Sequence, residues 1–200
     1  MLARITTASV KKCTGKSWDE WVHLLDRAKA DRFERPRLVA FLGKKHRLGP
    51  WWQQMVASGY EIAIGRKVEG RNAKGEYSLT ATKTFPVSRE ELWDFLVSER
   101  GFRTWLGSWA GLELAKGESF ETTEGHVGEV RSFFAPDRLR ISWRDPEWKK
   151  PTYVQIYCIP RPGRKCIAAF THEKIPFVHL RDELRKRWKG RLEAIQAALK

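Results

Sequence analysis

Apolar side chains recur every three or four positions near both ends of the chain and every second position between them. That pattern predicts helices flanking a run of strands. The last helical pattern is the longest. Leu180, Leu184, Trp188, Leu192, Ile195 and Leu199 are spaced four, four, four, three and four apart, a continuous stripe along one helix of about five turns. Its other faces carry Arg181, Arg185, Lys186, Arg187, Lys189 and Arg191.

Near the start, Ser17-x-x-Glu20 is a capping box, followed by Trp18, Trp21, Val22, Leu25 and Ala28 on one helical face. A second helix is expected from Pro36, with Leu38, Val39 and Leu42 inward and Gly43 or Gly49 near its end. A third starts at Gly49-Pro50 and carries Trp52, Met55, Val56, Gly59, Tyr60 and Ala63. None is long enough to be stable alone, so the three must bury their faces together.

Residues 68–77, VEGRNAKGEY, lack any apolar period and hold two glycines and an Asn, the marks of a linker. Residues 1–67 are therefore expected to form a small helical domain and 78–200 a second domain. The second opens with a strand from Leu79 to Phe85 and a helix capped by Ser88-x-x-Glu91. Strands follow at Phe120–Thr123, Val127–Phe134, Leu139–Trp143, Val154–Ile159 and Cys166–Thr171, the last two joined by a hairpin turn at Pro162-Gly163. A helix with a full apolar stripe must cover something, and the inner face of the sheet is the surface left for it. The fold class is α+β: a curved antiparallel sheet wrapped around a long C-terminal helix, preceded by a small all-α three-helix domain.

Composition narrows the function. Among 200 residues, 42% are hydrophobic and ten are Trp, enough apolar area to offset the entropy of ordering a chain. No run reaches the roughly 20 apolar residues of a membrane span, and the first residues hold no signal-like apolar stretch. A cytoplasmic location is expected. Cys13, Cys158 and Cys166 form no Cys-x-x-Cys pair, and reduced thiols suit that compartment. The net charge of +14 draws acidic partners at long range.

TGKSWDEWVHLLD and KKHRLGPWWQQMVASGYE, within Val10 to Arg66, resemble an uncharacterised helical bacterial domain that often precedes a helix-grip domain. From Ser78 onward the chain resembles the START-like (SRPBCC) superfamily, and within it proteins related to the C-terminal domain of the activator of Hsp90 ATPase. TKTFPVSREELWDFL, GEVRSFFAPDRLRISW and FTHEKIP carry that likeness. RTWLGSWAGLELAKG departs from it, because Trp105 and Trp109 stand apart where the family often has tandem Trp residues.

No catalytic constellation emerges. His23, His46, His126, His172 and His179 show no metal-binding spacing. Phosphate-cradling glycine loops and Gly-x-Ser-x-Gly are absent, so no cofactor, metal or catalytic residue is assigned. The candidate ligand-binding residues are Trp105, Trp109, Phe120, Glu129, Phe133, Trp143, Tyr153, Phe170 and Trp188. Their rings would wall a cavity between sheet and final helix. Glu129, in phase with Val127, Arg131 and Phe133, either faces that cavity with a raised pKa or pairs outward with Arg131.

Three functions follow as expectations. The first is binding of a small hydrophobic molecule in that cavity, without catalysis or with weak catalysis. The second, implied by the Hsp90-activator likeness, is docking on a chaperone or another acidic protein. The third is nucleic-acid binding through the basic surface, disfavoured because the cations are dispersed and the third helix offers only Gln53 and Gln54 before Arg66 to read base edges.

Overall fold

The computed structural model describes residues 5–72, 74–107 and 114–199. The chain divides into two compact units, Met1–Arg71 and Asn72–Lys200.

The first unit holds α1 (Thr7–Thr14), α2 (Trp18–Arg27), α3 (Arg35–His46) and α4 (Pro50–Ala63), with one 3-10 turn at Ala30–Arg32. Both halves of the Ser17–Glu20 capping box form, at 2.7 and 3.2 Å. Sequence periodicity predicts three of these helices and misses α1, whose eight residues bury only Val10 and therefore show no period. Gly43 lies in the last turn of α3, where an added Cβ would come within 2.8 Å of the Gln53 side chain on α4. The helix stops at Arg47, which adopts a left-handed φ of 53°. Trp18, Trp21, Leu25, Leu38, Leu42, Val56 and Tyr60 make the core. α4 also buries Ser58 and Glu61, because Arg35 reaches across from α3 to pair with Glu61 and to donate to Ser58 and Gln54 at 3.0 Å each.

In the second unit β1 (Tyr77–Phe85) leads through α5 (Arg89–Val97) and α6 (Glu99–Trp105) into five more strands. These are β2 (Ser119–Glu121), β3 (Val127–Phe134), β4 (Arg138–Trp143), β5 (Thr152–Arg161) and β6 (Lys165–Ile175), followed by α7 (Val178–Ala198). Every pairing is antiparallel, in the order β1-β6-β5-β4-β3-β2. The β5–β6 hairpin turns through Gly163 at φ 76°.

Alternation decides the faces. Leu139, Ile141 and Trp143 of β4, Val154, Ile156 and Cys158 of β5, and Cys166, Ala168 and Phe170 of β6 point inward and are buried. α7 lies over β1 and β6 and against α6. It buries Leu184, Trp188, Leu192 and Ile195, with Leu180 and Leu199 partly covered at its two ends. The apolar stripe read from the sequence is thus the side that meets the sheet. Removing this apolar surface from water stabilises the contact by about 25 cal/mol per Å2.

Candidate functional site

The inner face of the sheet carries a chain of aromatic rings. Trp105 meets Phe170 edge-on at 5.7 Å between centroids, Phe170 tilts onto Trp188 at 5.4 Å, and Trp188 meets Trp143 edge-on at 5.6 Å. All four side chains are fully buried. They pack on one another across the space between sheet and α7.

One polar group is set into this stack. His172 of β6 points inward in step with Phe170 and is fully buried. Its Nδ1 accepts from the Trp188 indole N–H at 3.0 Å, and its Nε2 lies 2.7 Å from Thr152 Oγ1. The Thr152 hydroxyl donates to the Trp143 carbonyl at 2.8 Å. An indole nitrogen can only donate, so Nδ1 must be bare and the proton sits on Nε2. The imidazole is neutral by construction. Burial, with help from the Arg187 charge, lowers its pKa to about 3.

A charged cluster lies beside this stack. Glu124, in the turn between β2 and β3, pairs with Arg187 and, at 2.7 Å, with Arg191, both on α7. Arg191 also donates to the Thr104 carbonyl at 3.3 Å. Burial alone would raise the Glu124 pKa, but the two guanidiniums outweigh it and hold it low. His126 stands between carboxylates, Nδ1 3.8 Å from Glu124 and Nε2 3.7 Å from Asp145. Its pKa is nonetheless lowered, by burial first and Arg187 second. The His126 ring tilts over Trp143 at 4.6 Å, and the Arg187 guanidinium lies 5.2 Å from the same indole.

Two clefts open on either side of the β4–β5 loop. One, of about 650 Å3, is bordered by Phe120, Glu121, Val127, Glu129, Ser142 and Arg144. The other, of about 870 Å3, is lined by Lys74, Lys149, Lys150 and Lys174 together with Trp148, Tyr153 and Phe177. Lys149 and Pro151 border both. In the larger cleft Lys174 lies over the Tyr153 ring at 4.5 Å, and Arg140 reaches the same ring at 5.1 Å. Phe177 is 58% exposed.

The nine nominated positions therefore separate. Trp105, Trp143, Phe170 and Trp188 come together in the interior stack, and Phe120 is buried in the same core. Tyr153 belongs to the outer face and the larger cleft. Glu129 lies outward, 2.8 Å from Arg131, and borders the smaller cleft. Phe133 does not share its phase. A register shift between Val130 and Ser132 sets Val130 opposite Ile141 and Phe133 opposite Leu139, so strict alternation fails across Arg131. Phe133 is left 38% exposed at the end of the sheet. Trp109 lies outside the described residues. Sequence reasoning missed His172, although its two-residue step from Phe170 placed it inward, and it missed the cleft lysines, which come from three separate segments.

Cys158 and Cys166 are free and buried, and burial raises both thiol pKa values. Among the described residues no group of three or more His, Cys, Asp or Glu side chains is placed to hold a metal ion. No helix among them is long and apolar enough to cross a membrane.

Residues 86–200 match the family model described as Activator of Hsp90 ATPase homolog 1-like protein. Among solved structures, CalU16 from Micromonospora echinospora is similar, with a TM-score of 0.56 at 18% identity over 65% of this chain and 81% of its own. PFC0360w, an HSP90 activator from Plasmodium falciparum, has a TM-score of 0.53 at 21% identity, over 61% of this chain and 95% of its own. Aha1 from Colwellia psychrerythraea, solved as a dimer, has a TM-score of 0.53 at 14% identity over 61% and 95%. At these identities the likeness is one of fold. No curated protein matches the sequence.

Proposed function

The chain belongs, through residues 86–200, to the Activator of Hsp90 ATPase homolog 1-like family, and on that premise we propose that it is a binding module that docks an acidic segment of a chaperone of the Hsp90 class. The observation that carries this reading is the larger cleft, where four lysines stand around three aromatic rings. Lysines supply long-range attraction and partner choice, while rings supply contact area at low entropic cost. The partner segment is therefore acidic with at least one apolar side chain.

The interior weighs against placing a hydrophobic ligand between sheet and α7. Such a ligand would have to displace the Trp105–Phe170–Trp188–Trp143 stack and break the His172 hydrogen bonds. Glu76 and Glu147 also line the cleft, so the segment must set its carboxylates against the lysines and its apolar side chain against the rings.

Isothermal titration of the full chain into a purified Hsp90-class chaperone tests this. Saturable binding that weakens about tenfold in Lys149→Glu/Lys174→Glu is expected. Equal affinity in that variant, or no binding at low salt, removes the reading. Displacement of the chaperone by single-stranded DNA would move the cleft to nucleic acid instead.

A further inference from the structure

Lys174 has a left-handed backbone, with φ 60°. Three other non-glycine residues among those described share that region, Lys29, Arg47 and Arg164. Each of these lies between elements, where such a bend ends a helix or closes a hairpin. Lys174 lies inside β6. Glycine takes up this conformation without the steric cost that any other residue meets.

The bend belongs to a bulge. Tyr77 stands opposite Ile175 and Leu79 opposite His172, so Glu173 and Lys174 together face Ser78. In a regular strand Lys174 would follow His172 inward by alternation. The extra residue keeps it on the outer face and gives the inward place to Ile175, which is fully buried. Burying Ile175 requires the bulge, and glycine would form that bulge more easily. It does not require a lysine side chain at the bent position.

That side chain has a defined setting. Lys174 Nζ lies 4.5 Å from the centre of the Tyr153 ring. The adjacent carboxylate, Glu173, pairs with Arg140 at 3.0 Å, and Arg140 lies 5.1 Å from the same ring. Lys174 itself pairs with no carboxylate among the described residues, so its charge opens unanswered on the larger cleft. Lys149 and Lys150 lie on the β4–β5 loop and add attraction at longer range.

Resting on the docking reading above, we propose that Lys174 selects the partner segment. It anchors one carboxylate above the Tyr153 ring, and the residue next to that carboxylate lays an aromatic side chain against Trp148 and Phe177. The strained bend is kept because it aims this anchor into the cleft. The cleft holds about 870 Å3, within the roughly 300–1,000 Å3 of small-ligand sites, so a group of dipeptide size fits it.

Two dipeptides test the anchor without the chaperone. Acetyl-Asp-Phe-amide and acetyl-Asn-Phe-amide differ only in the carboxylate, and each is titrated into the full chain with NMR amide shifts as the readout. The Asp peptide should bind about tenfold more tightly. Lys174→Gly should abolish that preference while the melting temperature holds or rises, because glycine keeps the bend. Lys174→Asn, which also tolerates a left-handed backbone, should do the same, whereas Lys149→Gln should keep most of the preference. Equal affinity for the two peptides, no shift with either at about 10 mM, or an undiminished preference in Lys174→Gly overturns the proposal. So does a melting temperature lowered by several degrees in Lys174→Gly, which would make the side chain a structural one. The chaperone titration separates the two claims. A chaperone that binds the wild type and Lys174→Gly equally removes the anchor and leaves the docking. One that binds neither, while the Asp peptide is preferred, removes the docking and leaves the anchor.

Discussion

The indole N–H of Trp188 donates to Nδ1 of His172 across 3.0 Å, a buried directional bond between α7 and the sheet, to which Lys83 of β1 and Glu193 of α7 add an exposed one at 2.7 Å. Apolar packing alone would let a helix slide by a turn along its stripe. A donor that must meet one ring nitrogen fixes the register, and Thr152 and the Trp143 carbonyl extend the constraint to β5 and β4.

Acid should destabilise the second unit before its carboxylates titrate. The folded pKa of His172 is about 3 against an unfolded value of 6.5. Between those values the unfolded chain binds the proton and the folded one does not, so stability falls as pH falls. His126 of the same unit is also lowered, first by burial, and acts with the same sign. Urea unfolding at pH 7, 6 and 5 should show a loss approaching about 1.4 kcal/mol per pH unit below pH 6. His172→Phe should flatten that slope, and an unchanged slope would show that His172 is not held neutral.

Trp188→Phe keeps an aromatic ring in the stripe but removes the donor. His172 Nδ1 then loses its partner and part of the indole volume becomes a void. A loss of about 2–4 kcal/mol is expected in denaturant unfolding. Trp52→Phe, at a partly covered position of the other unit, should cost far less.

Gly101→Ala should be among the most damaging small substitutions. An added Cβ would stand 1.8 Å from the Phe95 carbonyl oxygen, which is backbone at the α5–α6 junction and cannot swing away. Gly59→Ala brings a Cβ to 2.2 Å from Trp18, where α2 rests on α4. Each should cost about 1–3 kcal/mol or more, read as separate shifts in thermal unfolding.

Glu91 completes the Ser88 capping box and also pairs with Arg164 from the β5–β6 turn. The Arg164 bond first, then the Ser88 contacts, hold its pKa down to about 2. Since a depressed carboxylate stabilises above its unfolded pKa, its contribution is lost as pH drops below about 4.5 toward 2. Ser88→Ala should remove about 1 kcal/mol, measured at neutral pH.

Much of the architecture was legible because long periodic patterns dominate it. The α7 stripe, the β4 alternation of Leu139, Ile141 and Trp143, and the two capping boxes each carry their own signal. α1 and α6 escaped because eight and seven residues are too few for a period to register. The phase of Phe133 was misread because a bulge at Arg131 shifts the count by one, and nothing in the local sequence marks it. The candidate site was less legible still. Lys74, Lys149 and Lys174 are distant in sequence and meet only because β1, β5 and β6 are neighbours.

β1 lies at the sheet edge beside β6, so Leu79 is matched with His172 and Phe85 with Cys166. A ribosome making this unit must therefore hold its earliest strand unpaired until nearly all of the remainder has emerged. The helical unit ahead of it, whose core spans only Val10 to Tyr60, can condense while translation continues. Synthesis imposes a sequence of events here: helices close early, and the sheet waits for its last hairpin.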